Sequence, residues 1–390
     1  MVVSVLAVLV LVMGVEFALR LFAPMSPDGG PISLHVRQAL PGLRQEILYE
    51  RDALGLRRLS LDPAHKLPGA VRILCVGAST TDQPTQDTAT TWCGLLQLKL
   101  VERFSGRDVV IETATLAQGG WRVPDLVWRM SNQVDGLRPD IVIVLMGIND
   151  LAFNGGPDYV YTGLSDRLAS IDRRDPGLKS GFWTRCETFS QLCKRVSVLR
   201  TIFQEWRLRR EGRLLEWHSQ NLPILRREYQ QYPNVELPRR EPDPLREFED
   251  GTEALLAMLN ERGIDAVVLG QPVLWKENMS EAERTSLWFY VETPAGRVRP
   301  SGRWLVTEMA RYNAAQHTIA QKHGVRFLDL DARIPKDLDH YFDDCHFTDL
   351  GSRRMADEVL PLVAATIQAR LSRYATHRSP QPYVDSLSSH

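Results

Sequence analysis

Five short runs of Val, Ile and Leu constrain the fold of this chain more than any other feature of its sequence. They begin at residues 71 (VRILCV), 109 (VVIETA), 140 (DIVIVLM), 265 (DAVVLG) and 325 (VRFLDL). Each run is mainly Val, Ile and Leu rather than strictly alternating, which is typical of strands buried on both faces of a parallel sheet. We therefore expect a mostly parallel five-stranded sheet.

Helical patterns lie between and after these runs. They cover roughly 88–104, 123–135, 244–262, 302–323 and 350–371. Strands that alternate with helices in this way predict an α/β fold, a three-layer α/β/α sandwich. In such folds the functional residues gather in the loops beyond the carboxyl ends of the strands. Those loops are where side chains with a chemical role are expected.

The chain of 390 residues is longer than a usual single domain, which has roughly 100–200 residues. The folded domain is predicted to span 70–375 and to contain a helical insertion at about 151–245, because a simple crossover between strands needs only about a dozen residues. Residues 24–69 are rich in Pro, Gly and Arg, so we expect a linker and an irregular N-terminal segment there. Residues 376–390 are predicted to be a flexible C-terminal tail.

Residues 1–23 form an apolar run that is uncharged through Val15 and is followed by Pro24. Its length matches the ~20 residues that a helix needs to cross a bilayer. We predict an N-terminal transmembrane, or signal-anchor, helix, with the folded domain outside the cytoplasm, in the periplasm or at the cell surface. A cleaved signal peptide is the alternative, but no positively charged segment precedes the run and no clear small-residue cleavage site follows it.

Charge and cysteine content exclude some classes of protein. The net charge is −1 and the cationic residues are scattered, so a nucleic-acid binder is not expected. Four arginines cluster in the insertion, where we interpret them as a solvated helix face: Arg207, Arg209, Arg210 and Arg213. Five cysteines cannot complete a disulfide framework. The sequence leaves open whether Cys186 and Cys193 form a disulfide.

Small or polar residues follow each of the first three strands. Ser79 lies in VGASTTD, Gly119 and Gly120 in TLAQGGWRV, and Asn149 in MGINDLAF. Taken singly, a turn-capping serine, loop glycines and a helix-capping asparagine are the ordinary interpretations. Asn149 also offers a neutral N–H donor, the group that stabilises a developing oxyanion without exchanging a proton with it.

A fourth segment, YFDDCHFTDLG at 341–351, holds two carboxylates, a thiol and a histidine in consecutive positions: Asp343, Asp344, Cys345 and His346. These side chains could ligate zinc by type, but adjacent ligands cannot all reach a tetrahedral centre, and the chain has no CxxC or HExxH pair. A metal cluster is therefore the weakest interpretation. With no phosphate-binding loop or dinucleotide fingerprint in the sequence, we expect neither a metal nor another cofactor.

In their order and context, the four segments resemble the signature blocks of the SGNH hydrolases, also called the GDSL esterase/lipase superfamily. The resemblance covers roughly residues 70–370, interrupted by the insertion, and GIND and DDCHFTDLG are its most specific parts. It implies a flavodoxin-like SGNH hydrolase fold. The chain departs from the family pattern at Ala78, where the name-giving motif has Asp, and at Thr115, where Asn often occurs.

Carried over to this sequence, the resemblance implies a catalytic triad of Ser79, Asp343 and His346. The backbone N–H of Ser79, the N–H of Gly120 and the side chain of Asn149 would form the oxyanion hole. The spacing of three lets one loop deliver both His346 and the carboxylate that orients it. Asp344 is interpreted as a solvent-facing or capping carboxylate.

The expected function is a serine ester hydrolase that removes acyl groups from a lipid or a surface glycan through an acyl-enzyme. Expected partners are thus an acyl-ester small molecule, lipid or glycan, and a membrane bound through the N-terminal helix. One alternative is an O-acyltransferase that uses the same triad to acylate a glycan. Another is a non-catalytic binding protein on a hydrolase fold, although the intact set of polar residues argues against it.

Overall fold

A computed structural model describes residues 32–52, 54–153, 160–174, 222–239 and 243–378. Within these ranges, no helix is both long and apolar enough to cross a membrane. The predicted membrane helix at 1–23 lies outside the described residues. So do the arginine cluster of the insertion and the Cys186–Cys193 pair, and these predictions stay predictions.

The strands of the described chain form three sheets. In chain order they are β1 (Ile32–Arg37), β2 (Glu46–Arg51), β3 (Leu56–Arg58), β4 (Ala70–Gly77), β5 (Val110–Ala117), β6 (Ile141–Leu145), β7 (Asn234–Val235), β8 (Asp265–Leu269), β9 (Val291–Thr293), β10 (Gly296–Pro300) and β11 (Arg326–Leu328). Strands β1 and β2 pair as an antiparallel ribbon, and β7, β10 and β9 form a small sheet. The other six form the central sheet.

The central sheet has the order β11-β8-β6-β4-β5-β3. The five predicted strands are confirmed, and each is parallel to its neighbours among the five. Numbered by chain order, these five lie in the sequence 2-1-3-4-5, the flavodoxin-like arrangement. From β4 the chain continues to β5 on one side, and from β6 it continues to β8 on the other side. The two connections diverge, so a crevice opens between them beyond the carboxyl ends of β4 and β6.

Helices cover the central sheet. They are α1 (Ser79–Asp82), α2 (Trp92–Arg103), α3 (Val123–Leu137), α4 (Ile148–Phe153), α5 (Leu164–Arg174), α6 (Leu245–Glu261), α7 (Glu281–Ser286), α8 (Gly302–Lys322) and α9 (Asp349–Arg378), with a further helical segment at 222–231. Helix α2 packs on α9, whereas α6 packs on both α3 and α8. Right-handed crossovers place these two groups on opposite faces of the sheet, and the core lies between the layers.

Two parts of the fold differ from the sequence prediction. The segment at 24–69, predicted to be irregular, contains the β1–β2 ribbon and also β3, an antiparallel sixth strand at the edge of the central sheet. These strands are short, and β2 buries alternate residues only, so they lack the continuous apolar run of a central strand. The last helix continues to Arg378, three residues into the predicted tail.

Gly77 ends β4 at the point where the chain turns into α1. A Cβ atom added there would lie 2.5 Å from the carbonyl oxygen of Leu145 and would also collide with the Thr81 side chain. The carbonyl oxygen belongs to the neighbouring strand β6 and cannot move away without disturbing the sheet. Only glycine allows this close approach of backbone and side chain.

We expect Gly77→Ala to lower the free energy of unfolding by about 1–3 kcal/mol, the usual effect of overpacking a rigid site. Gly136 of α3 is exposed and has open space around it. Gly136→Ala should therefore raise the free energy of unfolding by about 0.5–1 kcal/mol through helix propensity. Urea denaturation of both variants checks the two signs. Equal effects would mean that the close approach at Gly77 does not exist.

Candidate active site

Four loops bring the sequence-predicted residues to one crevice. Ser79 begins α1 directly after β4, Gly120 follows β5, and Asn149 lies in α4 after β6. The carboxyl ends of these parallel strands meet at the same edge of the sheet. Asp343 and His346 come from the loop that precedes α9. The structure thus brings together all five residues of the predicted triad and oxyanion hole.

A continuous chain of hydrogen bonds joins Ser79, His346 and Asp343. Ser79 Oγ lies 2.8 Å from His346 Nε2, and His346 Nδ1 lies 2.8 Å from Asp343 Oδ2. An ionised carboxylate can only accept hydrogen bonds, so Nδ1 carries the hydrogen in the neutral ring. Nε2 is then left as the acceptor for the hydroxyl of Ser79.

The loop that carries Asp343 and His346 is held by its own carboxylate. Tyr341 and Phe347 form an antiparallel bridge that closes the loop. Inside it, Asp343 Oδ1 accepts the backbone N–H groups of Cys345 at 3.0 Å and His346 at 2.9 Å. Such side-chain caps are a common reason for Asp in tight loops. The carboxylate therefore orients both the loop and the histidine ring.

Aromatic rings hold His346 on two sides. Phe342 stacks on the imidazole with 5.7 Å between ring centroids, and Trp288 stacks at 6.5 Å. The indole N–H of Trp288 also donates to Asp343 Oδ2 at 2.9 Å. Trp288 therefore supports both members of the histidine–carboxylate pair. Nothing in the sequence marked Trp288, because the contact spans 55 residues of chain.

The ionisation of the pair follows from burial and mutual charge. Burial opposes the charged form of Asp343, but the charge of His346 and the hydrogen bonds to the carboxylate outweigh it and lower the pKa to about 2. For His346, burial acts to lower the pKa, and the Asp343 carboxylate reverses this and raises the pKa well above its ordinary value. Burial raises the pKa of the neighbouring Cys345 thiol to about 11, so this cysteine is a poor nucleophile.

Of the two roles predicted for Asp344, a solvent-facing or a capping carboxylate, the structure excludes the first. Asp344 is buried and accepts N–H groups from Trp275 Nε1 at 2.8 Å, from Trp288 N at 2.8 Å and from Phe289 N at 3.1 Å. Burial and the adjacent Asp343 raise its pKa to about 7. Asp344 thus ties the loop to the segment that carries Trp288, an anchor that depends on residues distant in sequence.

The expected oxyanion donors, Gly120 and Asn149, line the same cavity as Ser79. Trp121 N donates to Gln118 O at 3.2 Å, and within this turn Gly120 has φ +82°, a value that favours glycine. The side-chain amide of Asn149 donates one hydrogen to Trp121 O at 3.0 Å. An amide has two N–H bonds, so a second remains for a ligand. Gly119 also faces the crevice, since a Cβ there would lie 3.8 Å from Ser79 Cβ.

A cavity of about 460 Å³ opens at these residues. Its size lies within the range of small-molecule sites, roughly 300–1,000 Å³. Beside the polar residues described above, its wall is formed largely by apolar side chains: Val36, Leu40, Pro84, Ile148, Ala152, Leu222, Phe289, Tyr290 and Phe342. Val36 and Leu40 come from the segment predicted to be a linker. Sequence reasoning could not assign them to the site, because they lie about 40 residues before Ser79.

Two other features of the sequence bear on the site. Asp343, Cys345 and His346 offer possible metal-ligand atoms within 4.8 Å of one another. The histidine, however, points one nitrogen at Asp343 and the other at Ser79, which is the geometry of a proton-transfer chain. Asp-x-x-His also occurs at Asp62–His65, paired at 3.5 Å, and at Asp337–His340, paired at 2.7 Å. Neither pair lines the cavity.

We expect Asp344→Asn to lower the free energy of unfolding by about 1–3 kcal/mol, the effect of leaving buried N–H groups without an acceptor. An amide has one oxygen and cannot accept all three N–H groups that Asp344 holds. Chemical denaturation of the variant measures the effect. Asp339→Asn is the matched control, since Asp339 is exposed and should change stability by less than about 0.5 kcal/mol. Equal stability of the two variants would contradict the anchoring role.

Comparison with known proteins identifies the family. The family model described as GDSL-like Lipase/Acylhydrolase matches residues 75–354. No curated protein matches the chain. Among solved structures, the chain is similar to the acetyl xylan esterase AlAXEase, with 13% identity, 75% of this chain and 100% of that chain covered, and a TM-score of 0.41.

It is also similar to Axe2, an acetylxylan esterase from Geobacillus stearothermophilus, with 14% identity, coverage of 74% and 92%, and a TM-score of 0.39. A third is LAE5, an alpha/beta hydrolase enzyme from the metagenome of Lake Arreo, with 16% identity, coverage of 75% and 94%, and a TM-score of 0.39. Likenesses this remote do not identify a substrate. The matched family spans more than half of the chain, so the chain belongs to the GDSL-like lipase/acylhydrolase family, in the SGNH hydrolase superfamily, and is a carboxylic ester hydrolase.

Proposed function

We propose that this enzyme hydrolyses acyl esters through a covalent acyl-enzyme on Ser79. One observation carries the proposal: an unbroken hydrogen-bond chain from Ser79 Oγ through His346 to Asp343, with 2.8 Å at each step, at the mouth of a cavity with apolar walls. This is the arrangement that activates a serine hydroxyl, whose own acidity is too weak for attack on an ester.

Each residue has a defined role in the proposed reaction. His346 Nε2 takes the proton of Ser79 as the hydroxyl oxygen attacks the ester carbonyl, and Asp343 remains ionised and stabilises the imidazolium. The N–H of Ser79, the N–H of Gly120 and the second amide hydrogen of Asn149 hold the oxyanion. His346 then protonates the leaving alcohol. A water molecule, deprotonated by the same histidine, releases the acid from Ser79.

The cavity favours an apolar acyl group over acetyl alone. Its volume of about 460 Å³ far exceeds the space of a two-carbon acetyl group, which is comparable to a few water molecules at about 30 Å³ each. Leu40, Leu222 and Phe342 form a hydrophobic cluster in its wall. Each methylene buried there contributes about 0.8 kcal/mol. We therefore propose esters of longer acyl chains, carried by a lipid or a surface glycan, as the substrate class.

The proposal is tested by hydrolysis of nitrophenyl esters from acetyl to long acyl chains. We expect turnover to rise with chain length beyond acetyl, and Ser79→Ala to abolish it. Asn149→Ala should retain the nucleophile but lose about 10²–10³-fold in kcat, the usual effect of removing one oxyanion donor. Asn132→Ala, on the exposed face of α3, is the matched control and should leave kcat unchanged.

Covalent labelling of Ser79 separates the alternatives. Labelling by a fluorophosphonate without ester turnover in water would favour acyl transfer to a hydroxyl acceptor, and addition of glycan acceptors would then reveal it. If the folded protein shows neither turnover nor labelling of Ser79, the proposed mechanism is wrong. A binding protein on a hydrolase fold would then be the better description.

The effect of Asp343 on the ionisation of His346 leads to a prediction for the pH dependence of kcat/KM. His346 must be neutral to accept the Ser79 proton, and Asp343 raises the pKa of His346 above its ordinary value, which is about 6.5. The acid limb of kcat/KM should thus lie above pH ~6.5. Asp343→Asn should move this limb to lower pH and reduce kcat by about 10³–10⁴-fold.

Asp337→Asn is the control for this profile, because Asp337 pairs with His340 at the same spacing away from the cavity. It should leave both the limb and kcat as they are. A limb that stays in place in Asp343→Asn would show that Asp343 does not set the ionisation of His346.

A further inference from the structure

Two arginines that precede the family-matched region, 75–354, reach the catalytic centre from the N-terminal segment. Arg51 is the last residue of β2, and its side chain is 15% exposed. Arg57 lies in the middle of β3, and it is 1% exposed. Burying a guanidinium group is unfavourable unless charged or hydrogen-bonding partners surround it. The partners of these two arginines therefore show which parts of the catalytic centre they hold in place.

Arg51 connects helix α1, which begins at Ser79, to the end of strand β5. Its Nη2 lies 2.7 Å from Asp82 Oδ2 and donates to the Ala117 carbonyl oxygen at 2.6 Å. Asp82 ends α1, the helix that Ser79 begins, and Ala117 ends β5, three residues before Gly120. One guanidinium group therefore ties the nucleophile helix to the turn that carries an oxyanion donor.

Arg57 holds the C-terminal end of α1 and the turn that follows it. It donates to the carbonyl oxygens of Asp82, Gln83 at 2.9 Å and Gln86 at 2.7 Å. Helix α1 has only four residues, and it ends at Gln83 with φ 46° and ψ 63°. This is a left-handed backbone conformation that residues other than glycine rarely adopt. Such a conformation persists only where its surroundings fix it, and Arg57 is part of those surroundings.

Tyr49 of β2 completes the group. Its ring lies 5.5 Å from the guanidinium carbon of Arg51 and 4.9 Å from that of Arg57. Its hydroxyl donates to Asp82 at 3.2 Å. Both guanidinium groups thus lie over one aromatic ring and beside one buried carboxylate, which fixes their positions relative to α1.

We propose that Arg51 and Arg57 are positioning residues of the catalytic centre, so that β2 and β3 form part of the active enzyme rather than a linker to it. The proposal rests on the proposed function of Ser79. Neither arginine contacts the reacting atoms. They act through α1 and through the turn at 118–121, whose relative position sets the distance between nucleophile and oxyanion donors. A misplacement of about 1 Å in such a site costs on the order of 10²-fold in rate.

Steady-state kinetics of Arg51→Met, Arg51→Lys and Arg57→Met test the catalytic effect. We expect Arg51→Met to lower kcat about 10–100-fold with KM little changed, at temperatures well below its unfolding midpoint. Arg51→Lys keeps the charge but lacks the planar fork of donors, and should be intermediate. Arg37→Met is the matched control, because Arg37 is exposed and pairs with Glu46 at the surface. It should equal the unsubstituted enzyme.

Hydrogen–deuterium exchange of the same variants tests the positioning role without depending on turnover. Arg51→Met should increase exchange in peptides covering 78–83 and 117–121 together, whereas Arg57→Met should increase it at 78–86 alone. Arg37→Met should change neither. If Arg51→Met leaves exchange in both loops unchanged and kcat within twofold, the inference is overturned. If the unsubstituted enzyme shows no Ser79-dependent turnover, the proposed function fails, and the exchange pattern still decides whether the arginines fix the two loops.

Discussion

The burial of one carboxylate organises the catalytic centre. Asp343 is almost inaccessible to water, and a charge in that position is stable only if donors replace the lost hydration. Two backbone N–H groups of its own loop, the indole of Trp288 and the Nδ1 of His346 supply them. Each donor is thereby fixed in turn: the loop takes one shape, and the imidazole has only Nε2 left to face Ser79. The carboxylate of the neighbouring Asp344 accepts the backbone N–H of Trp288. The loop therefore cannot shift without breaking the contacts of both carboxylates.

A second constraint acts on the nucleophile. Ser79 begins a helix of a single turn that ends at Gln83 in a left-handed conformation, and such backbone strain costs on the order of 1–3 kcal/mol. The side chain of Gln83 accepts the Trp92 N–H at 2.6 Å and donates to Ser352 Oγ at 2.6 Å, while Arg57 holds its carbonyl oxygen. The turn is thus maintained by contacts from α2, from α9 and from an edge strand outside the family-matched region. A nucleophile that must project into a crevice depends on this surrounding packing more than on its own local sequence.

The sequence predicted the central strands correctly but not the N-terminal strands or the burial of Asp344, and the reason is physical. A strand buried on both faces leaves a continuous apolar run, such as 141–146, and all five of the mainly apolar runs are strands. The β1–β2 ribbon and β3 are short and flanked by charge, and therefore resemble irregular chain. Of the two roles predicted for Asp344, the solvent-facing one is wrong, and only its burial and its three N–H donors reveal this.

By itself, the sequence determined the parallel sheet, the helices that cover it, and the loops in which Ser79, Asn149 and His346 lie, because periodicity and strand order are local properties of the chain. The family resemblance selected Asp343 and His346, but the spacing alone does not single them out. Asp-x-x-His occurs three times, at Asp62–His65, Asp337–His340 and Asp343–His346, and all three pairs form. Only the tertiary structure brings His346 to Ser79, across 267 residues of chain. Contacts of that range, like those of the N-terminal arginines, arise from how the layers pack, and no short segment of sequence encodes them alone.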